Sequence, residues 1–193
     1  MIDPLELYAM GNSDSPDKVY VNVDEGMLYG MEFETRFGLE RFWDKLTNFK
    51  FGANLTLVHS EVDKYGAGSG GFIYWKQTEK RRELNGQSPY LANLDLSYTN
   101  YRSSTTATLH YNIFGKRLSE VLTNGTPDVY ELPRQSLDFL CSQKVWNGLK
   151  VKLSVKNILA EPYKFVHKLY GEQYVRRKYF TTQKISLGVS YEI

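Results

Sequence analysis

Two short runs of cations hold the densest chemistry in the chain, Lys80-Arg81-Arg82 and Arg176-Arg177-Lys178. Grouped guanidinium and ammonium groups suit phosphates or anionic solutes, which they hold by charge-assisted hydrogen bonds. The same groups are also ordinary solvated loop charges. His59, His110 and His167 are isolated and lack the paired spacing of metal ligands. His167 falls in the last long polar stretch, where a ligand contact is within reach. Gly66, Gly68 and Gly71 match a dinucleotide-binding spacing, but no strand-turn-helix unit surrounds them, so they read as a loop tip. There is no nucleophile elbow, and the single Cys141 alternates with apolar neighbours and has no histidine to pair with. The residues therefore assign no catalytic, metal or cofactor-binding group, and the chain reads as a non-enzyme. An enzyme here would need a Ser-His-Asp grouping assembled in space, as such sites are.

What must position these side chains is a set of strands. A chain of 193 residues makes one domain of ordinary size, and 41% hydrophobic with 24% charged residues is not a disordered composition. Aromatics reach 15%, with 15 Tyr and 10 Phe. That bias favours strands, and it supplies rings suited to an interface or a membrane boundary. No apolar run approaches the roughly 18 residues of a membrane helix, whereas a membrane β-barrel alternates apolar and polar residues and keeps hydropathy low. A net charge of +2 is too small to argue for nucleic acid, and one cysteine excludes an internal disulfide framework. Met1 to Glu6 have neither the basic start nor the apolar core of a signal peptide, as in a cytosolic chain, a mature form or a piece of something larger.

Period-two alternation, the mark of a half-buried strand, recurs along the sequence. Met27, Tyr29, Met31, Phe33, Thr35 and Phe37 share one face, and the pattern extends back through Tyr20, which predicts one strand close to twenty residues long. Further runs centre on residues 49–57, 90–98, 105–113, 137–141, 149–155 and 185–193, and a short opening strand spans Leu5 to Met10, making eight. The opposite faces carry Glu32, Glu34, Arg36, Asn54, Asn93, Asp95, Asp138 and Lys152. Tight turns are expected at residues 100–103 and 146–148, the latter with an Asn-Gly hairpin signal. Long polar loops are expected over 61–87, 115–133 and 159–179, and an intermediate turn with a short helical piece over 38–48. Tight turns alternating with long loops is the rhythm of an outer-membrane barrel, and Tyr29, Tyr90, Tyr98, Tyr111, Tyr179 and Tyr191 fall near strand ends, where its aromatic girdles lie. With eight strands, both ends would sit on the tight-turn side. A soluble antiparallel sandwich also alternates, but with shorter strands.

Several motifs, in order, resemble the C-terminal barrel of TonB-dependent outer-membrane receptors of the Bacteroidetes type. They are Asp3-Pro4-Leu5-Glu6, Asn22, Gly30-Met31-Glu32, then Asn85-Gly86-Gln87-Ser88-Pro89-Tyr90 with Asn93 and Leu96-Ser97-Tyr98. Next come Tyr111-Asn112-Ile113-Phe114-Gly115-Lys116-Arg117, Asp128-Val129-Tyr130-Glu131 with Pro133-Arg134, and Lys156-Asn157-Ile158-Leu159. The resemblance implies an all-β, antiparallel transmembrane barrel of about 22 strands around a plugged lumen. Residues 1–193 would supply about eight of those strands, with the plug domain and signal peptide outside the chain. It implies an outer-membrane, energy-coupled importer of a scarce nutrient, of the siderophore-iron, cobalamin or glycan class, without a cofactor. Its partners would be outer-membrane lipid, the TonB complex acting through the plug, and the small-molecule or glycan substrate. Lys80, Arg81, Arg82, His167, Arg176, Arg177 and Lys178 are then candidate outer-rim contacts to ligand or lipid. The family usually ends on an aromatic residue; here the chain ends on Ile193. Two other architectures fit the alternation: a complete eight-stranded outer-membrane barrel with a structural or adhesive role, and a soluble β-barrel that binds a small apolar ligand.

Overall fold

The alternating segments become strands, but they assemble into two sheets rather than one. The structure, a computed structural model, describes residues 2, 4–10, 17–23, 25–63, 81–122 and 127–191. In chain order the strands are β1 (Leu5–Met10), β2 (Asp17–Asn22), β3 (Gly26–Gly38), β4 (Phe49–Asp63), β5 (Arg81–Arg82), β6 (Tyr90–Asn100) and β7 (Thr105–Phe114). They continue as β8 (Arg117–Leu122), β9 (Val129–Glu131), β10 (Arg134–Trp146), β11 (Leu149–Lys156), β12 (Tyr163–Leu169), β13 (Glu172–Tyr179) and β14 (Lys184–Tyr191). The expected helical piece between β3 and β4 is present as two single turns of 3-10 helix, Leu39–Arg41 and Asp44–Leu46.

The larger sheet runs β14-β11-β10-β7-β6-β4-β3, with β5 joined to the far end of β4, and every pairing in it is antiparallel. Its register is set by the alternation itself, because a slip of one residue would turn every apolar side chain to the other face. Phe33 lies opposite Leu55, Leu55 opposite Ala92, Ala92 opposite Ile113, and on the other side Phe139 lies opposite Leu109 and Val155, and Val155 opposite Ile185. One face is thus apolar across seven strands. All of Glu32, Glu34, Arg36, Asn54, Asn93, Asp95, Asp138 and Lys152 share the other. Among the described residues no second layer lies on either face: buried side chains in this sheet are confined to the loop-end stretch of β4 and to Arg82 of β5, while Met31, Phe33, Leu187 and Val189 are exposed. β3 and β14 have no partner along their outer edges among the described residues, so the sheet is not closed into a barrel.

The connections divide by end. β6–β7 and β10–β11 turn tightly at residues 101–104 and at Asn147-Gly148, where Gly148 takes the positive φ of 77° that such a hairpin requires. Asn100 Oδ1 closes the first turn by accepting the amides of Arg102 and Ser103 at 3.0 and 3.3 Å. The long connections all leave from the opposite end. Two of them are not loops: residues 115–133 contain β8 and β9, and residues 159–179 contain β12 and β13. With β1 and β2 they form the second sheet, ordered β13-β12-β9-β8-β1-β2. It is antiparallel except where Tyr8 and Ala9 of β1 run parallel to Val121 and Leu122 of β8. The hairpins follow the lateral order of the strands they join, so this sheet caps the larger one at its loop end.

Two expectations are corrected by this arrangement. The run from Tyr20 to Phe37 is two strands in different sheets, divided where Val23 is fully buried and donates its amide to Pro4 O at 3.0 Å. The opening strand, β1, belongs to the capping sheet. The larger sheet therefore has seven long strands, an odd number: the chain enters it at the loop end through β3 and leaves it at the tight-turn end through β14. Among the described residues the compact cores lie in the capping region and the adjoining end of β4. Tyr8, Val23, Val62, Leu118 and Val121 form one, and Leu122, Val129 and Phe165 the other.

Candidate functional site

Three of the six cations singled out by sequence, Arg176, Arg177 and Lys178, stand on the capping sheet, and Arg81 and Arg82 adjoin it on β5; several are paired. Arg82 is buried, with its side chain 3% exposed, and donates from Nη1 to Glu6 Oε2 at 2.8 Å. The same nitrogen reaches Glu83 O at 3.0 Å, and the guanidinium carbon lies 5.2 Å from the Tyr8 ring centre. Glu6 Oε2 also accepts the Asn85 amide at 3.2 Å, so one carboxylate ties β1, β5 and the segment after β5 together. Burial opposes the charge on Arg82, but Tyr8 and Glu6 outweigh it and hold the pKa above its ordinary value. Arg82 is thus an internal strut and not an exposed rim charge. Arg81 is exposed and donates to Glu61 Oε2 at 3.5 Å; Lys80 lies outside the described residues, as do Gly66, Gly68, Gly71 and Ile193.

Arg176 and Arg177 reach the same carboxylate, Glu120 of β8, at 3.5 and 3.8 Å. Neighbours in a regular strand point to opposite faces. Here a bulge between Phe165 and Val166 sets Arg177 against Phe165 and Val175 against Val166, which leaves Arg176 as the extra residue and lets both arginines turn toward Glu120. Arg177 also lies over the Phe165 ring at 4.0 Å. Lys178 is exposed, stands directly opposite Lys164, and holds its ammonium 5.1 Å from the Phe180 ring. His167 of β12 meets Tyr174 edge-on, and its Nδ1 is buried with no hydrogen-bond partner. Arg117 and Glu131 make a further close pair at 2.7 Å. Glu120 escaped the sequence reading, and Glu6 and Glu131 entered it only as motif residues and not as ion-pair partners, because carboxylates in strands of ordinary pattern carry no local signal of what they meet.

Several of the motif residues, among them Ser88, Gly115 and Asn157, form corners between strands. The Gly115 amide donates to Tyr90 O at 2.9 Å, and Ser88 Oγ lies 2.7 Å from Tyr90 O and 3.1 Å from Gly115 O. A Cβ on Gly115 would sit 2.7 Å from the Tyr90 ring, so only glycine fits that approach. Asn157, at φ 56°, accepts Arg134 Nη2 at 3.0 Å and donates to Thr181 O at 2.8 Å, while its amide donates to Asp138 Oδ1 at 2.8 Å. These contacts fasten the ends of β6, β7, β10, β11 and β14 where the strands pass into the cap.

The polar face of the larger sheet is cross-linked by side chains that are directly or, for Asn54 and Glu32, diagonally opposite. Asn54 donates to Glu32 at 2.7 Å, Asn112 to Asn93 at 2.8 Å, and Ser97 meets Thr108 at 3.3 Å and Thr106 meets Ser142 at 2.7 Å. His110 sits 2.5 Å from Asp95, so the histidine read as an isolated strand residue has a carboxylate partner across the sheet. On the apolar face, Cys141 lies between Ala107 and Leu153. Exposed rings mark its tight-turn end, with Phe42, Trp43, Tyr101, Trp146 and Tyr191, and Tyr29 stands at the other. Tyr179 instead belongs to the cap, stacked on Tyr163 at 4.8 Å.

Among the described residues no cluster of histidine, cysteine or carboxylate could hold a metal ion, and no helix is long and apolar enough to cross a membrane. No family model, no curated protein and no solved structure matches the chain.

Proposed function

We propose that the larger sheet is a wall segment of an outer-membrane β-barrel of the TonB-dependent receptor kind, and that the capping sheet stands on its outer side. The single observation that carries this reading is the unlayered sheet, apolar across one face and hydrogen-bonded polar across the other. A soluble sheet buries its apolar face under a second layer, whereas a barrel wall gives that face to lipid and the other to a wet lumen. Dimensions agree. The apolar stripe runs from Leu149 to Val155 on β11, from Phe49 to Leu57 on β4 and from Met27 to Phe37 on β3, roughly 20–34 Å along the strands at about 3.4 Å per residue and about 15–26 Å across a bilayer at the usual tilt of barrel strands, against an apolar band about 25 Å tall. The open edges at β3 and β14 favour a larger barrel over a closed eight-stranded one, since exposed long edges are liabilities that full closure removes.

In this role the segment does no chemistry. It supplies wall, lumen surface and outer cap to an importer, and uptake of a nutrient belongs to the whole barrel with its plug. Cysteine labelling in the full-length protein on intact cells tests the reading. A membrane-impermeant maleimide should reach Glu172→Cys, in the cap, from outside. It should reach Asn147→Cys, at the tight-turn end, only after the outer membrane is permeabilised. Equal labelling of both sites in intact cells would mean that the sheet does not cross a bilayer.

A further inference from the structure

We propose that a small cavity in the capping sheet binds an anionic solute bearing a carboxylate or phosphate. The cavity, of about 280 Å³, opens beside β9, β12 and β13, and Lys116, Asp128, Tyr130, His167, Lys168 and Gln173 line it. It goes beyond wall and import, since it stands on the geometry of the cap alone.

The charge is one-sided. Lys116, Lys168 and His167 face one acid, and that acid is engaged locally: Asp128 Oδ1 accepts the Leu122 amide at 3.1 Å. No carboxylate pairs with Lys116 or Lys168 among the described residues, although Arg117, Arg176 and Arg177 close by all have one. The Lys116 ammonium is held 4.2 Å from the Tyr130 ring centre, which fixes it at the cavity wall without neutralising it. His167 adds a different polar group: its Nδ1 is buried and has no hydrogen-bond partner among the described residues. Two lysines, an imidazole and a side-chain amide lining one small cavity are residue types suited to an oxyanion. Val166 and Leu132 supply its apolar floor. The volume suits a group the size of pyrophosphate or a short dicarboxylate.

The chain has three histidines, so ¹⁵N-histidine labelling of the full chain in neutral detergent gives a small set of ring signals, assignable by single His→Gln variants. Pyrophosphate, malonate and, as an uncharged control, sorbitol are titrated separately. The His167 signals should move saturably with pyrophosphate or malonate, while those of His110, on the larger sheet, stay in place and sorbitol moves none. The double variant Lys116→Gln, Lys168→Gln should weaken binding about tenfold or more, and Lys156→Gln, in the larger sheet, should leave it unchanged. Unmoved His110 signals in the double variant show that it has folded; His59, which lines another cavity with Lys116, is not used for this. Micelles doped with an anionic phospholipid separate the two sources of phosphate, and a His167 response to the lipid alone overturns the solute site. So does movement of all three histidines together, which is an ionic-strength effect, or undiminished affinity in the double variant.

Discussion

Glu6 and Arg82 are the side chains on which the capping region most depends. Both are about nine-tenths or more out of water, at 4% and 3% exposure, and each is the other's only full counter-charge at 2.8 Å among the described residues. A buried pair is weak grounds for net stability, because both charges are desolvated to make it, yet removing one partner leaves the other stranded. Arg82→Met should therefore destabilise the full chain by about 3–5 kcal/mol. Glu6→Gln combined with Arg82→Met removes both charges and keeps an acceptor for the Asn85 amide, so it should lose less than Arg82→Met alone. Denaturant midpoints in detergent read the difference, and a double variant as weak as the single one would show that Glu6 and Arg82 act separately. The Arg176, Arg177 and Glu120 cluster is a contrasting case. Its distances are longer and Arg177 is half exposed, and such pairs contribute only about 0–1 kcal/mol.

β11 shows how much one strand's two faces differ. Leu153 lies between Cys141 and Leu187 on the apolar face, and its neighbour Ser154 lies between Leu140 and Ser186 on the polar one. Depth and strand propensity nearly cancel between adjacent residues, so the comparison isolates the environment of each face. Leu153→Arg should cost roughly 2–4 kcal/mol if that face meets lipid near the midplane, and Ser154→Arg much less. Heat-modifiable mobility and denaturant stability of the two full-length variants in outer-membrane preparations measure this. Equal losses would mean that β11 does not cross a bilayer, and the reverse ranking would turn the faces inside out.

The molecule as a whole has its apolar surface in the wrong place for water. Among the described residues its compact cores are confined to the cap and the adjoining end of β4, while the larger sheet leaves Met31, Phe33, Leu94, Leu109, Leu187 and Val189 exposed along one continuous face. Exposed apolar area of this extent, beside two open edges, drives association. The chain should accordingly aggregate or form mixed oligomers in aqueous buffer and become monodisperse in detergent, as light scattering after size exclusion would show. A monodisperse, cooperatively melting monomer without detergent would require the apolar face to be covered by something other than lipid.

Sequence by itself determined the strands of the larger sheet and which side chains share each face. Alternation is local, and a residue two places along is always on the same side. The tight turns were legible for the same reason, because Asn147-Gly148 and Asn100 specify their geometry within a few residues. The capping sheet was not legible. β8, β9, β12 and β13 are short, polar and irregular, so stretches that become strands read as loops. Their pairing depends on which hairpins the larger sheet brings side by side. The break after Asn22 was hidden inside a continuous alternating pattern, since only the burial of Val23 in another sheet's core divides it. The bulge that turns Arg176 and Arg177 to one side leaves no mark in composition. Glu6 meets Arg82 across 76 residues, and a contact at that separation exists only once the tertiary fold has chosen which strand ends adjoin.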